Sequence, residues 1–254
     1  MCYDIRYMTK KQIEYANRYG ASDEDVKNLQ LQLLQLEPIK KVFHTNGFMH
    51  WKLPVITNTN PNQIQFFQWG LIPFWTKDLK SGLSFSNKTL NARGETIFKK
   101  PAFRSAAKNK RCIIILDGFY EHHHIGGKTQ PYHIQYKDEA IMSVAGLWEQ
   151  WVDKTSGEVF ETVTIVTTEA NKLMAEIHNN PKAIGPRMPV ILSADKEKDW
   201  LKPIENDEDL ALVNSLIEPL QNDILKAYPV ASLRGKAAVG NTEKAIERFK
   251  ETLF

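Results

Sequence analysis

Four stretches in the middle of the chain limit its fold more than any other feature: Cys112–Leu116, Pro131–Tyr136, Ile141–Trp148 and Glu161–Thr168. Each is five to eight residues long. They are rich in β-branched or aromatic side chains, the composition of strands, and too short for a typical helix. The connections Tyr136-Lys137-Asp138-Glu139 and Asp153-Lys154-Thr155-Ser156-Gly157 are of hairpin length and predict antiparallel neighbours. Upstream, Pro54–Thr57 and Ile64–Trp69 add short strands bounded by Asn58, Asn60 and Pro61, residue types that favour turns. Helical signals lie on the flanks. Lys10–Leu36 reads as two helices broken near Gly20, with Ser22 and Asp25 opening the second and Leu29, Leu33 and Leu36 on one face. A short amphipathic helix is expected over 171–178, others at 194–201, 207–218 and 242–252, and a last strand at 228–230. With no linker or repeat, residues 1–254 read as one α+β domain with a mainly antiparallel β core and a tail from about 205 that holds peripheral helices.

The net charge of +3 is too small to announce nucleic-acid binding, so such a function must rest on local clusters. One exists: Lys99, Lys100, Arg104, Lys108, Lys110 and Arg111 fall in a stretch without an acidic residue, which is either a solvated helix face or a groove that tracks phosphates. No apolar run approaches the roughly 20 residues that cross a bilayer, and the start of the chain lacks the apolar stretch of a secretory signal, so a cytoplasmic protein is expected.

Only two cysteines occur, Cys2 and Cys112, without the paired spacing of a disulfide framework or a zinc site. Cys112 opens an apolar strand and is expected to be a packing residue. Cys2 follows the initiator methionine, and removal of Met1 would leave an α-amine and a thiol on adjacent carbons. That pair can close a five-membered ring on an aldehyde, and the ordinary pKa values, about 8 for the amine and about 8.5 for the thiol, leave a reactive fraction near neutrality. A loose chain end is the alternative. Against it, Tyr3, Ile5 and Tyr7 alternate with Asp4 and Arg6, a strand pattern that would hold Cys2 in place.

Other candidates are spread along the chain. In Trp69-Gly70-Leu71-Ile72-Pro73-Phe74-Trp75 the aromatic rings either pack in the core or stack on unpaired bases. Asn91-Ala92-Arg93-Gly94-Glu95 sets an amide, a guanidinium and a carboxylate within five positions. Glu121 follows a buried strand and two aromatics, a place where partial desolvation suits a carboxyl group to proton transfer. His122-His123-His124 alternates faces on a strand and has no further His/Cys pair at ligand spacing, so no metal site is expected. His178 ends the short helix, and Arg187 opens a strand; the histidine is of the residue type that exchanges protons near neutrality.

Taken in order, Met1-Cys2, WGLIPFW at 69–75, NARGET at 91–96, RCIIILDGFYEH at 111–122, TIVTTEAN at 164–171 with Ile177-His178, RMPVIL at 187–192 and DWL at 199–201 resemble the SOS response-associated peptidase (SRAP) family. The resemblance implies a barrel-like, mainly β fold with a positively charged cleft. It also implies a covalent crosslink to abasic sites in single-stranded DNA, formed as a thiazolidine between Cys2 and the ring-opened aldehyde. In that scheme His178 promotes ring opening, Glu121 moves protons and Asn91 orients the Cys2 amine. Arg93 contacts phosphate, and Trp69, Thr167 and Arg187 lie along the strand; Arg104, from the basic segment, is a further expected DNA contact. Tyr3-Asp4 replaces the family's usual Gly-Arg, which shifts an expected DNA contact to Arg6. No cofactor or metal is implied, and a monomer is expected, nucleoid-associated when on DNA. Two other readings use the same residues: a cysteine peptidase with Cys2 as nucleophile and His178 as base, and a non-catalytic module that binds damaged DNA through Trp69 and the basic segment.

Overall fold

The computed structural model describes residues 2–8, 13, 16, 22–35 and 41–249. The helix expected before Gly20 falls almost wholly outside these. The second helix of that pair is α1, Asp23–Gln35.

Strands β3 (Lys52–Thr57), β4 (Asn60–Trp69), β6 (Arg111–Leu116), β9 (Met142–Val152) and β10 (Val159–Glu169) pair in a ring. β3 pairs with β4 and β6, β6 with β9, and β9 with β10, all antiparallel; β10 returns to β4 through a short parallel pairing. The ring removes free edges, the usual remedy for a sheet of short strands. The extra length of β10 takes up β5 (Asn91–Arg93), parallel, and β11 (Arg187–Pro189), antiparallel, while β12 (Ile191–Leu192) pairs with β9.

A second, antiparallel sheet has the order β13–β8–β7–β1–β2, formed by Leu225–Pro229, Lys128–Tyr136, Gly118–Ile125, Asp4–Met8 and Lys41–Asn46. The strand expected behind Cys2 is therefore β1, paired on both sides, to β2 and to β7. Ile5, Tyr7, Phe119 and Ile134 of this sheet share one buried core with Val55, Phe67, Trp69, Ile114 and Ile165 of the ring. The opposite faces of β6 and β9, with Ile113, Ala145 and Leu147, are covered by Ala106, Trp200 and Val213 from α3 (Arg104–Asn109), α5 (Glu197–Leu201) and α6 (Asp207–Ser215). Two further α-helices are α2 (Leu79–Ser86) and α4 (Lys172–Ile177).

Three expectations change. Asp153–Gly157 joins paired strands, but Lys137–Glu139 leads from β8 into the other sheet, because both edges of β8 are already taken by β7 and β13. The helix over 242–252 is a single 3₁₀ turn, Glu243–Ala245, in the described residues. The chain there is drawn into extended pairing instead, with a Val230–Arg248 bridge and Phe249 N–H bonded to Pro229 O. The basic segment is divided: Lys99, Lys100, Arg104 and Lys108 face solvent, whereas Arg111 is fully buried. Its guanidinium donates to the carbonyls of Ala107, Lys108, Trp200 and Lys202, and so ties α3 to α5. Burial lowers its pKa to about 10 without removing its charge. Lys110 pairs with Glu149 and lies over the Trp148 ring.

Candidate active site and nucleic-acid interface

Cys2 is buried at the head of β1. Asn91 on β5 donates from Nδ2 to the Cys2 carbonyl at 2.8 Å, and the thiol lies 3.8 Å from the Asp4 carbonyl. Burial pushes the thiol pKa well up, and the Glu121 carboxylate adds to that rise. The second sheet thus places Glu121, on β7, within electrostatic reach of the Cys2 thiol just ahead of the adjacent β1. The Oδ1 atom of Asn91 is buried without a hydrogen-bond partner among the described residues. A buried orphan acceptor is unfavourable by about 1–3 kcal/mol, and an α-amine freed at Cys2 is a donor suited to satisfy it.

His178 arrives from the barrel side. Asn171 caps α4 by accepting the Met174 N–H, and the helix stops after six residues with His178 as its C-cap. There the imidazole meets Glu121: Nδ1 is 3.8 Å from Oε2. The same Nδ1 is 2.9 Å from the Arg187 N–H and 3.0 Å from the Arg187 carbonyl. The amide can only donate and needs Nδ1 as an acceptor, whereas the carbonyl and the carboxylate accept from Nδ1–H, so the tautomer decides which contact is made.

Glu121 and His178 open on a cleft of about 280 Å³, lined also by Tyr3, Asp4, His122 and Arg234 among others. Arg234 and His44 both bind the Asp4 carboxylate. Burial lowers the pKa of His122, which therefore stays neutral near pH 7. Neither Tyr3, Asp4 nor Arg234 was marked as functional by its sequence context. The nearness of Tyr3 and Asp4 to Cys2 was the available signal, while nothing local distinguishes Arg234.

The outer candidates fall into two groups. Arg93 is partly exposed on β5, and Arg104 is exposed on α3. Trp69, by contrast, is fully buried, with its indole N–H donating to Leu90 O at 2.8 Å, so it has no free face for a base. Phe74 and Trp75 of the same motif are exposed, whereas Leu71, Ile72 and Pro73 before them stay buried. Thr167 is fully buried and donates to Ala92 O at 3.3 Å. Arg187 is buried against Thr167 and binds Glu95 at 2.8 and 2.9 Å, so its guanidinium is already engaged within the protein. Arg6 reaches Gln135 at 3.5 Å and lies outside the cleft lining. Among the described residues no group of three or more His, Cys, Asp or Glu side chains is placed to hold a metal, and no helix is long and apolar enough to cross a membrane.

The barrel and its second sheet, with Cys2 bonded by the Asn91 amide and within electrostatic reach of Glu121, which His178 meets in turn, define a class of mainly β proteins. The chain belongs to the SOS response associated peptidase (SRAP) family, whose model matches residues 1–237. Abasic site processing protein YoqW of Bacillus subtilis is 41% identical over 182 residues, covering 71% of this chain and 75% of that protein. Abasic site processing protein HMCES of Gallus gallus is 32% identical over 186 residues, covering 65% of this chain and 52% of the relative. A crystal structure of a protein from Bacteroides thetaiotaomicron superposes with a TM-score of 0.82 at 34% identity, over 98% of this chain and all of that one.

Proposed function

We propose that this protein forms a covalent crosslink with abasic sites in single-stranded DNA through Cys2. The reading is supported by the SRAP membership, by relatives named for abasic site processing, and above all by one observation: Asn91 and Glu121 reach Cys2 from separate strands, and His178 meets Glu121 from a third element.

Removal of Met1 frees the α-amine. His178 passes a proton that opens the hemiacetal sugar and exposes the C1′ aldehyde. The amine, oriented by Asn91 Oδ1, adds to that carbon; the resulting hydroxyl leaves as water, and an imine forms. The Cys2 thiol then adds to the imine carbon, its proton passes by way of Glu121 to the nitrogen, and the thiazolidine closes. One water is lost overall. The raised thiol pKa fits this order, because the amine attacks first and the thiol is needed only at the second addition. It fits a peptidase poorly, since a cysteine nucleophile of that kind depends on a lowered pKa. Arg93 and Arg104 supply phosphate contacts, and Arg187 braces the site through Glu95 and Thr167. The protein acts as a monomer in the cytoplasm and is nucleoid-associated when on DNA.

The test is incubation of Met1-free protein with a single-stranded abasic oligonucleotide, followed by denaturing electrophoresis. A Cys2-dependent adduct is expected. Equal yield from Cys2→Ala contradicts the proposal. Strong binding without an adduct would support the non-catalytic module, and Cys2-dependent cleavage of added peptides would support the peptidase.

A further inference from the structure

One wall of the cleft has no part in this proton-transfer scheme. Tyr3 directly follows the nucleophile and lines the cleft, and its carbonyl accepts the Gly47 N–H at 2.7 Å. That bond fastens the turn Gly47–Met49 to the N-terminal segment. Asn46 holds the turn a second time, accepting the Phe48 N–H at 2.9 Å while its own Nδ2 donates to Asp4, also at 2.9 Å. His50 closes the turn at φ 50° and binds Trp69 O through Nδ1 at 2.6 Å. Gly47 packs so closely on Leu90 that a Cβ would come within 3.1 Å of it, which keeps the turn from moving inward.

The outcome is a fixed aromatic pair. The rings of Tyr3 and Phe48 stack with centroids 5.5 Å apart and planes 26° from parallel. Phe48 is nevertheless 54% exposed, and its neighbour Met49 is 62% exposed. Burial and the Glu121 carboxylate raise the Tyr3 pKa, so its phenol stays neutral at physiological pH. A neutral, half-open aromatic stack that begins at the residue after a DNA-directed nucleophile matches the chemistry of a nucleobase face.

We propose that Tyr3 and Phe48 form a stacking platform for the nucleobase next to the abasic sugar. The proposal rests on the abasic-site reading. A base beside the lesion has lost one stacking neighbour, and the platform replaces it, which holds the sugar over Cys2. Phe48 is thus a positioning residue: it lowers the DNA concentration needed and leaves the chemical step alone. Purines, with the larger π face, should be preferred beside the lesion.

The test uses a single-stranded oligonucleotide with an unreactive tetrahydrofuran abasic analogue flanked by 2-aminopurine. Binding to the wild type should quench the 2-aminopurine. Phe48→Ala should abolish the quench and weaken binding by at least about fivefold, and Phe48→Trp should restore both. With the reactive aldehyde oligonucleotide, Phe48→Ala should raise the half-saturating DNA concentration while the plateau rate of adduct formation stays within about twofold. Equal quench and affinity in the wild type and Phe48→Ala, or no quench in either, would overturn the platform. Failure of the crosslinking reading would show differently, as no adduct from the wild type on aldehyde DNA with the quench intact.

Discussion

Two residues from Cys2, Asp4 is buried beneath three convergent partners: His44 and Asn46 on Oδ1, each at 2.9 Å, and Arg234 on Oδ2. Burial acts to raise its pKa, but the His44 hydrogen bond and the Arg234 guanidinium outweigh burial and hold the carboxyl below its ordinary range. A lowered folded-state pKa gives stability that is present above the ordinary value near 4 and is lost as pH falls through the lower folded value. Asp4→Asn should therefore cost about 2 kcal/mol near neutrality, and the deficit should shrink in acid, as denaturant unfolding at a series of pH values will measure. His178→Ala should slow adduct formation by about 100-fold, the ordinary scale of general acid–base catalysis, as single-turnover kinetics will measure. Cys2, Asn91, Glu121 and His178 could be singled out in the sequence because their residue types suit such chemistry and fall in ordered motifs, and the fold brings Asn91 and Glu121 to Cys2 and His178 to Glu121. Arg234, which lines the cleft, and Phe48, which stacks on Tyr3, could not be, since both arrive through contacts distant in sequence. Burial of Trp69 and Thr167 was equally hidden, because a motif gives a residue's place in the chain and not its depth.

At the level of elements, β7 depends on its first residue. A single residue, Asp117, separates β6 from β7, and the strands lie in different sheets, so the chain must cross within one step. Gly118 allows it: a Cβ there would lie 2.6 Å from the Ile134 carbonyl and 2.7 Å from His133 Nε2. Gly118→Ala should destabilise the protein by about 2 kcal/mol and slow adduct formation by displacing Glu121; thermal melting and adduct kinetics on folded material separate the two effects. Strand positions were readable because β-branched runs of this length have few other options. Partners were not. The Lys137–Glu139 connection has hairpin length, yet it links sheets because β8 already has neighbours on both edges. The 242–252 segment carries helix-forming residues, yet the Val230–Arg248 bridge draws its described part into an extended course. In both cases competition for strand edges, absent from local sequence, decides the outcome.

The molecule as a whole combines a closed barrel with an antiparallel sheet that brings the N-terminal strand and the C-terminal segment together. His133 lies inside that second sheet, fully buried, with Nδ1 2.9 Å from the Tyr228 hydroxyl. Burial lowers its pKa from 6.5 to about 3, with smaller contributions from Arg6 and Lys226. Below the ordinary value the unfolded chain gains a proton that the native state refuses, so stability is lost as pH falls, by up to about 1.4 kcal/mol per pH unit. His133→Phe should flatten that part of the stability–pH profile, measured by denaturant unfolding between about pH 6 and pH 4. The central claim concerns both nucleophiles of one residue, and intact mass spectrometry tests it most directly. Met1-free protein incubated with an abasic oligonucleotide should gain the mass of the oligonucleotide less one water. Protein that retains Met1 should give no stable adduct although its thiol is intact; a stable adduct of that mass from Met1-retaining protein, or from Cys2→Ala, would contradict the account.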